Sequence, residues 1–141
     1  MKTMSLSAIA VDSSESEDLK LRVSQLENKT KELEESMRYA SNLQRSILPN
    51  ERVIQNAFSD AFVMFKPKDI VSGDFYWVTK TKDGEVIVAA ADCTGHGVPG
   101  AFLTIVGNNL LNQIVNINGI SDTAEILTEL NESLLRRFQI V

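Results

Sequence analysis

Asp74-Phe75-Tyr76-Trp77-Val78-Thr79-Lys80-Thr81-Lys82-Asp83-Gly84-Glu85-Val86-Ile87-Val88-Ala89-Ala90-Ala91-Asp92 is the stretch that decides the fold. Residues 75–81 and 85–92 are rich in aromatic and β-branched side chains, which pack well on a pleated surface, so each reads as a strand. Lys82-Asp83-Gly84 between them is a three-residue hairpin loop with glycine where a positive φ is needed. Pairing Thr81 with Glu85 sets Tyr76 opposite Ala90, Val78 opposite Val88, and Asp74 opposite Asp92. A two-residue Asp83-Gly84 turn would instead slip the register and separate the two aspartates.

Directly opposed residues in an antiparallel pair have Cβ atoms about 5 Å apart, and like charges there destabilise the sheet. A divalent cation held by both Asp74 and Asp92 supplies the missing charge, and oxygen-only ligation suits magnesium or manganese better than zinc. The plainer alternative is a pair of strand-end aspartates in water. Both faces of the hairpin are apolar, with Phe75, Trp77, Ile87 and Ala89 on one and Tyr76, Val78, Val88 and Ala90 on the other. Such strands need cover on both sides, which a second sheet and a helical layer provide, and Trp77 then belongs to the core. Upstream, the apolar segment 61–65 before a break at Pro67 reads as a further short strand.

Downstream, residues 99–116 carry Leu103, Val106, Leu110 and Ile114 at helical spacing, with Pro99 suited to the first helical position. Asp122 followed by Glu125 is a capping box for a second helix over 123–138. Gly95, Gly97 and Gly100 match the G-x-G-x-x-G dinucleotide fingerprint, and Asp122 lies near the expected distance for its acidic partner. That fingerprint belongs to a βαβ unit, however, and here a hairpin precedes it and another helix follows. A Walker loop is excluded because no Lys-Ser/Thr follows the glycines. Cys93 as a nucleophile lacks a third group to orient the only histidine, His96, which the flanking glycines mark as a turn-positioning residue before a general acid.

At the other end, Leu19, Leu26, Leu33, Ala40 and Ile47 recur every seven residues, and Val23, Thr30, Met37 and Gln44 form the second series of a heptad. In that register Arg22 and Lys29 fall at g and Glu27 and Glu34 at e, the spacing for ion pairs across a parallel dimer. The second series weakens toward Gln44, and Pro49 stops the helix. Residues 18–49 are therefore expected to be a coiled-coil linker helix forming a homodimer, preceded by a disordered leader over 1–17. A single amphipathic helix folded on its own domain is the alternative. Lys2 and the short run 4–11 only faintly imitate a secretory signal.

The 141 residues are 43% hydrophobic and 23% charged, ordinary for a globular chain. The net charge of -5 leaves no basic stripe for nucleic acid. No run approaches the roughly 20 apolar residues of a membrane span. One cysteine admits no internal disulfide and fits a reducing compartment, so a cytoplasmic location is expected.

Lys66-Pro67-Lys68-Asp69-Ile70-Val71-Ser72-Gly73-Asp74-Phe75-Tyr76-Trp77, with Ala91-Asp92-Cys93-Thr94-Gly95-His96-Gly97-Val98-Pro99-Gly100-Ala101, resembles the PPM-type metal-dependent serine/threonine phosphatases of the SpoIIE/RsbU-like bacterial branch. Ser41-Asn42-Leu43-Gln44-Arg45-Ser46-Ile47-Leu48-Pro49 is similar to the linker that leads into that domain, so the resemblance covers about 40–141. It implies an α+β fold: the N-terminal part of an αββα sandwich, a β-sandwich flanked by antiparallel helices, here preceded by the coiled-coil helix. It also implies two Mn2+ or Mg2+ ions activating a bridging water, with Asp74 on one ion, Asp92 bridging both, and the backbone carbonyl of Cys93 where relatives use a glycine carbonyl. The implied substrate is a phosphorylated regulatory protein of the anti-sigma-factor antagonist kind.

The family's later aspartates, one in an Asp-Gly turn, have no counterpart: after Asp92 the acidic residues are Asp122, Glu125, Glu129 and Glu132, all in a helix or its cap. Residues 50–141 thus read as the N-terminal part of a phosphatase domain cut at Val141, and full activity from this chain alone is not expected. The competing reading is a non-catalytic dimerising signalling module with an incomplete metal site.

Overall fold

The computed structural model describes residues 6–138 in two units, one up to Met37 and one from Arg38 onward. Helix α1 runs over Leu6–Ile47. It begins well inside the stretch expected to be a disordered leader, of which residues 1–5 lie outside the described residues. The physical reason is that no glycine or proline precedes Pro49, and serines or acids cost a helix interior only a few tenths of a kcal/mol each. The helix stops at Ile47, short of the expected residue 49, because a proline disfavours helical backbone in the residue before it.

In the first unit the heptad positions stand in solvent, Leu26 at 64% exposure and Leu33 at 67%. Arg22 pairs along the helix with Asp18 at 2.9 Å. No helix among the described residues is long and apolar enough to cross a membrane.

The second unit is built on the expected hairpin. Strands β1 (Asp74–Lys80) and β2 (Val86–Asp92) pair antiparallel with Asp74 opposite Asp92, Tyr76 opposite Ala90 and Val78 opposite Val88. The turn closes with Gly84 N–H donating to Thr81 O at 3.0 Å and Thr81 N–H to Glu85 O at 2.8 Å, and Gly84 takes φ of 88°. The three-residue loop is therefore the one formed, and the slipped two-residue turn is not.

One face of the hairpin, Phe75 and Trp77, is buried against Leu110, Leu111, Ile114 and Val115 of the following helix and Ile126 of the last one. Each buried aliphatic or Phe75-sized side chain in such a cluster contributes about 1.5–3 kcal/mol. Trp77 is core, as expected, and its indole N–H donates to Asn112 Oδ1 at 3.3 Å. The opposite face is covered only on its β1 side. There helix α2 (Glu51–Ala57) packs on β1, Phe65 meets Tyr76 edge-on at 5.7 Å, and the Tyr76 hydroxyl donates to Pro49 O at 3.1 Å. Val88 on β2 remains 56% exposed, so among the described residues the expected second sheet is absent. For the same reason residues 61–65 form no strand: they have no ladder to join.

Helix α3 (Gly97–Leu111) starts two residues before the expected 99, with Pro99 still inside the first turn, where its missing N–H costs nothing. It passes into a π turn, Asn112–Ile117, where a continuous α-helix to 116 was expected. Helix α4 (Thr123–Phe138) has the predicted limits, and Asp122 caps it by accepting the Glu125 N–H at 2.9 Å.

Candidate metal site at the hairpin end

The hairpin ladder carries one pair beyond the aspartates, since Cys93 N–H donates to Gly73 O at 3.2 Å. Asp74 and Asp92 thus sit where the strands meet the loop before β1 and the glycine turn after β2. The facing Asp92 holds the Asp74 carboxyl above its ordinary value of 3.8, first through the hydrogen bond they share, then through lost hydration, then through like-charge repulsion. A proton is the monovalent answer to that arrangement and a divalent cation a better one. Two opposed carboxylates form a hard, oxygen-only donor set that fits Mg2+ or Mn2+. Among the described residues, no group of three or more histidine, cysteine, aspartate or glutamate side chains gathers to hold a metal. A depression of about 480 Å³ lies beside it, bordered by Met64, Phe65, Lys66 and Tyr76.

The glycines explain how the two aspartate-bearing loops lie together. A β-carbon on Gly73 would stand 2.6 Å from Gly95 O and 3.0 Å from Cys93 O. One on Gly100 would stand 2.8 Å from Gly95 O and 3.0 Å from the Gly73 α-carbon. Backbone packs on backbone here, with no room for a side chain. This accounts for Gly100 of the G-x-G-x-x-G pattern without a nucleotide, and positive φ of 96° and 63° accounts for Gly95 and Gly97. It also puts the Cys93 carbonyl, implied as a metal ligand, on the Gly73 side of the turn.

His96 caps the start of α3 through its backbone, and its Nδ1 lies 3.1 Å from Asp69 Oδ2. This contact links the loop before β1 to the turn after β2. Cys93 is half-buried, and burial pushes its thiol above the ordinary 9.0, opposed by a hydrogen bond with Thr104 and reinforced by Asp74 and Asp92. A protonated thiol at neutral pH is no nucleophile.

Two residues that the sequence did not place at the site hold the loop before β1. Thr104 is 0% exposed, and its hydroxyl reaches Ser72 O at 3.1 Å and both Gly73 O and Gly100 O at 3.2 Å. Gln44, assigned to the heptad seam, is instead buried against Ser72, whose N–H donates to Gln44 Oε1 at 2.9 Å. Its polarity at a seam position was the available signal.

A two-stranded hairpin ending in opposed carboxylates and packed against α3 and α4 gives this second unit an α+β fold. Among solved structures, the SiaA-PP2C domain of Pseudomonas aeruginosa superposes with a TM-score of 0.71 at 33% identity, over 79% of this chain and 45% of that one. No family model and no curated protein matches the sequence. The chain belongs to the PPM-type (PP2C) phosphatases of bacterial type. It spans less than half the length of the solved domain it matches.

Proposed function

We propose that this chain contributes the Asp74 and Asp92 part of a two-metal centre for hydrolysing phosphoserine or phosphothreonine on a regulatory protein. The observation that carries the reading is the opposition of the two carboxylates across the last pairs of the hairpin, with Asp74 shifted upward by its neighbour. Asp74 would hold one Mn2+ or Mg2+ ion, Asp92 would bridge two, and the Cys93 carbonyl would complete this chain's share. Bound there, the metals supply an acidified water as nucleophile and charge to clamp the phosphoryl oxygens. The chain's own work is to keep the carboxylates opposed, through the backbone contacts of Gly73, Gly95 and Gly100 and the tie between His96 and Asp69.

The regulatory partner we favour is a small phosphoprotein of the anti-sigma-factor antagonist kind, met in the cytoplasm. The exposed heptad positions Leu19, Val23, Leu26 and Leu33 support a parallel homodimer through α1. In a protein carrying the complete domain, Asp92→Asn removes Mn2+-dependent release of phosphate from a phosphopeptide. Retained turnover would rule the assignment out.

A second reading, a dimerising signalling module without catalysis, is favoured by the absence of a third metal-binding side chain beside the pair among the described residues. Mn2+ titration of the 141-residue chain with a chromogenic phosphate ester separates the two. Micromolar binding with hydrolysis refutes the module, and silence in both refutes independent catalysis.

A further inference from the structure

We propose that Gln44 is a positioning residue for Asp74, acting through the backbone of Ser72; this rests on the metal reading above. Asp74 has an exposed side chain whose partner is the equally exposed Asp92, so its place is set by backbone alone. That backbone is held at Ser72. The Ser72 hydroxyl accepts the Asp74 N–H at 2.9 Å, which fixes the turn from which β1 departs. Ser72 is itself buried, and Gln44, 3% exposed in the last turns of α1, engages both of its peptide groups. Gln44 Oε1 accepts the Ser72 N–H at 2.9 Å, and Gln44 Nε2 donates to the Ser72 carbonyl.

This is the two-bond pairing that a neighbouring strand would make, supplied by one side chain. A primary amide is the group that has one donor and one acceptor at that spacing. Space-filling does not call for it, since leucine or methionine would fill the position without polar atoms to satisfy. Thr104 supports the Ser72 carbonyl from the opposite side at 3.1 Å, and Asn108 Nδ2 anchors the end of α1 by donating to Ile47 O at 3.3 Å. The turn before Asp74 is thus gripped between α1 and α3.

The test compares Gln44→Met, which keeps the length and loses both bonds, with Gln44→Glu, which keeps only the acceptor. Ile126→Val in α4 serves as a control for general loss of stability, and Mn2+ alone is the metal probe. Gln44→Met raises amide exchange at Ser72 and Asp74 about tenfold or more and weakens Mn2+ binding about tenfold, the effect typical of losing an outer-shell partner. Gln44→Glu falls between wild type and Gln44→Met, whereas Ile126→Val leaves both readouts at wild-type values. Unchanged exchange at Ser72 and Asp74 in Gln44→Met overturns the proposal, as does a loss of Mn2+ affinity no larger than in Ile126→Val. If Asp74→Asn binds Mn2+ as well as wild type, the metal reading fails instead, and the exchange data decide the grip on Asp74 by themselves.

Discussion

Replacing Gly73 by alanine tests whether the two aspartate-bearing loops are held together by backbone contact. The new β-carbon would lie 2.6 Å from Gly95 O and 3.0 Å from Cys93 O. Real β-carbons essentially never approach within 3.0 Å of another heavy atom, and both obstacles are main-chain oxygens with no rotamer to change. The turn after β2 must therefore retreat by several tenths of an ångström, carrying Asp92 away from Asp74. Overpacking of this kind costs about 1–3 kcal/mol. For a unit of roughly 100 residues that corresponds to a melting temperature lower by about 5–20 °C. The assay is thermal unfolding by circular dichroism in metal-free buffer, with the Asp74 titration followed by NMR in the same samples. As the carboxylates separate, the Asp74 midpoint moves down toward its ordinary value of 3.8. Gly95→Ala is the comparison: it has no neighbour within 4 Å but φ of 96°, so it suffers backbone strain without a clash. Melting of Gly73→Ala within about 2 °C of wild type, with the Asp74 midpoint unmoved, would refute the packing argument.

Cys93 should react slowly with iodoacetamide at neutral pH, because burial raises its pKa above 9.0. The unfolded thiol ionises first, so the stability Cys93 contributes is present below about pH 9 and is lost as pH rises through the folded value; Cys93→Ala removes that slope from melting curves. Rapid alkylation at pH 7 would contradict this. Leu26→Glu with Leu33→Glu places charge on two exposed heptad positions and should convert a dimer to a monomer in sedimentation, with the melting of the second unit unchanged. A wild-type chain that is monomeric at high micromolar concentration would dispose of the coiled-coil reading.

What the sequence revealed is local. The Lys82-Asp83-Gly84 turn dictates a register, and the register alone carries Asp74 to Asp92. Asp122 and the periodic residues after it likewise set the limits of α4. Helix α2 had a readable signal too: Asn50, after Pro49, caps it by accepting the Val53 N–H at 3.1 Å, although no helix was expected there. Residues 61–65 misled because an apolar run forms a strand only if another strand stands beside it. The π turn was illegible in the sequence, where it sits within a row of asparagines that meet other elements. Asn116 receives a hydrogen bond from Thr79 at 2.8 Å, Asn112 receives one from Trp77, and Asn108 reaches Ile47. No window of sequence contains those partners.

Gln44 carries the same lesson into the site. By periodicity it is a poor seam residue at the weak end of a heptad series, and periodicity cannot say more. The buried amide becomes intelligible only once Ser72, 28 positions away in sequence, lies against it with both peptide groups unpaired by any strand. The weakening of the heptad toward Gln44 then has a physical cause. A side chain committed to the Ser72 backbone is withdrawn from a helix–helix seam, so the apolar stripe of α1 and the grip on Asp74 occupy successive stretches of one helix. A coiled coil extended by Gln44→Leu would gain a seam residue and orphan the buried Ser72 N–H, at about 1–3 kcal/mol, while the Ser72 carbonyl would keep only the Thr104 hydroxyl. Burying a leucine there contributes about 1.5–3 kcal/mol, the same order as that cost, so stability alone does not dictate glutamine, and the grip on the turn before Asp74 is what distinguishes it.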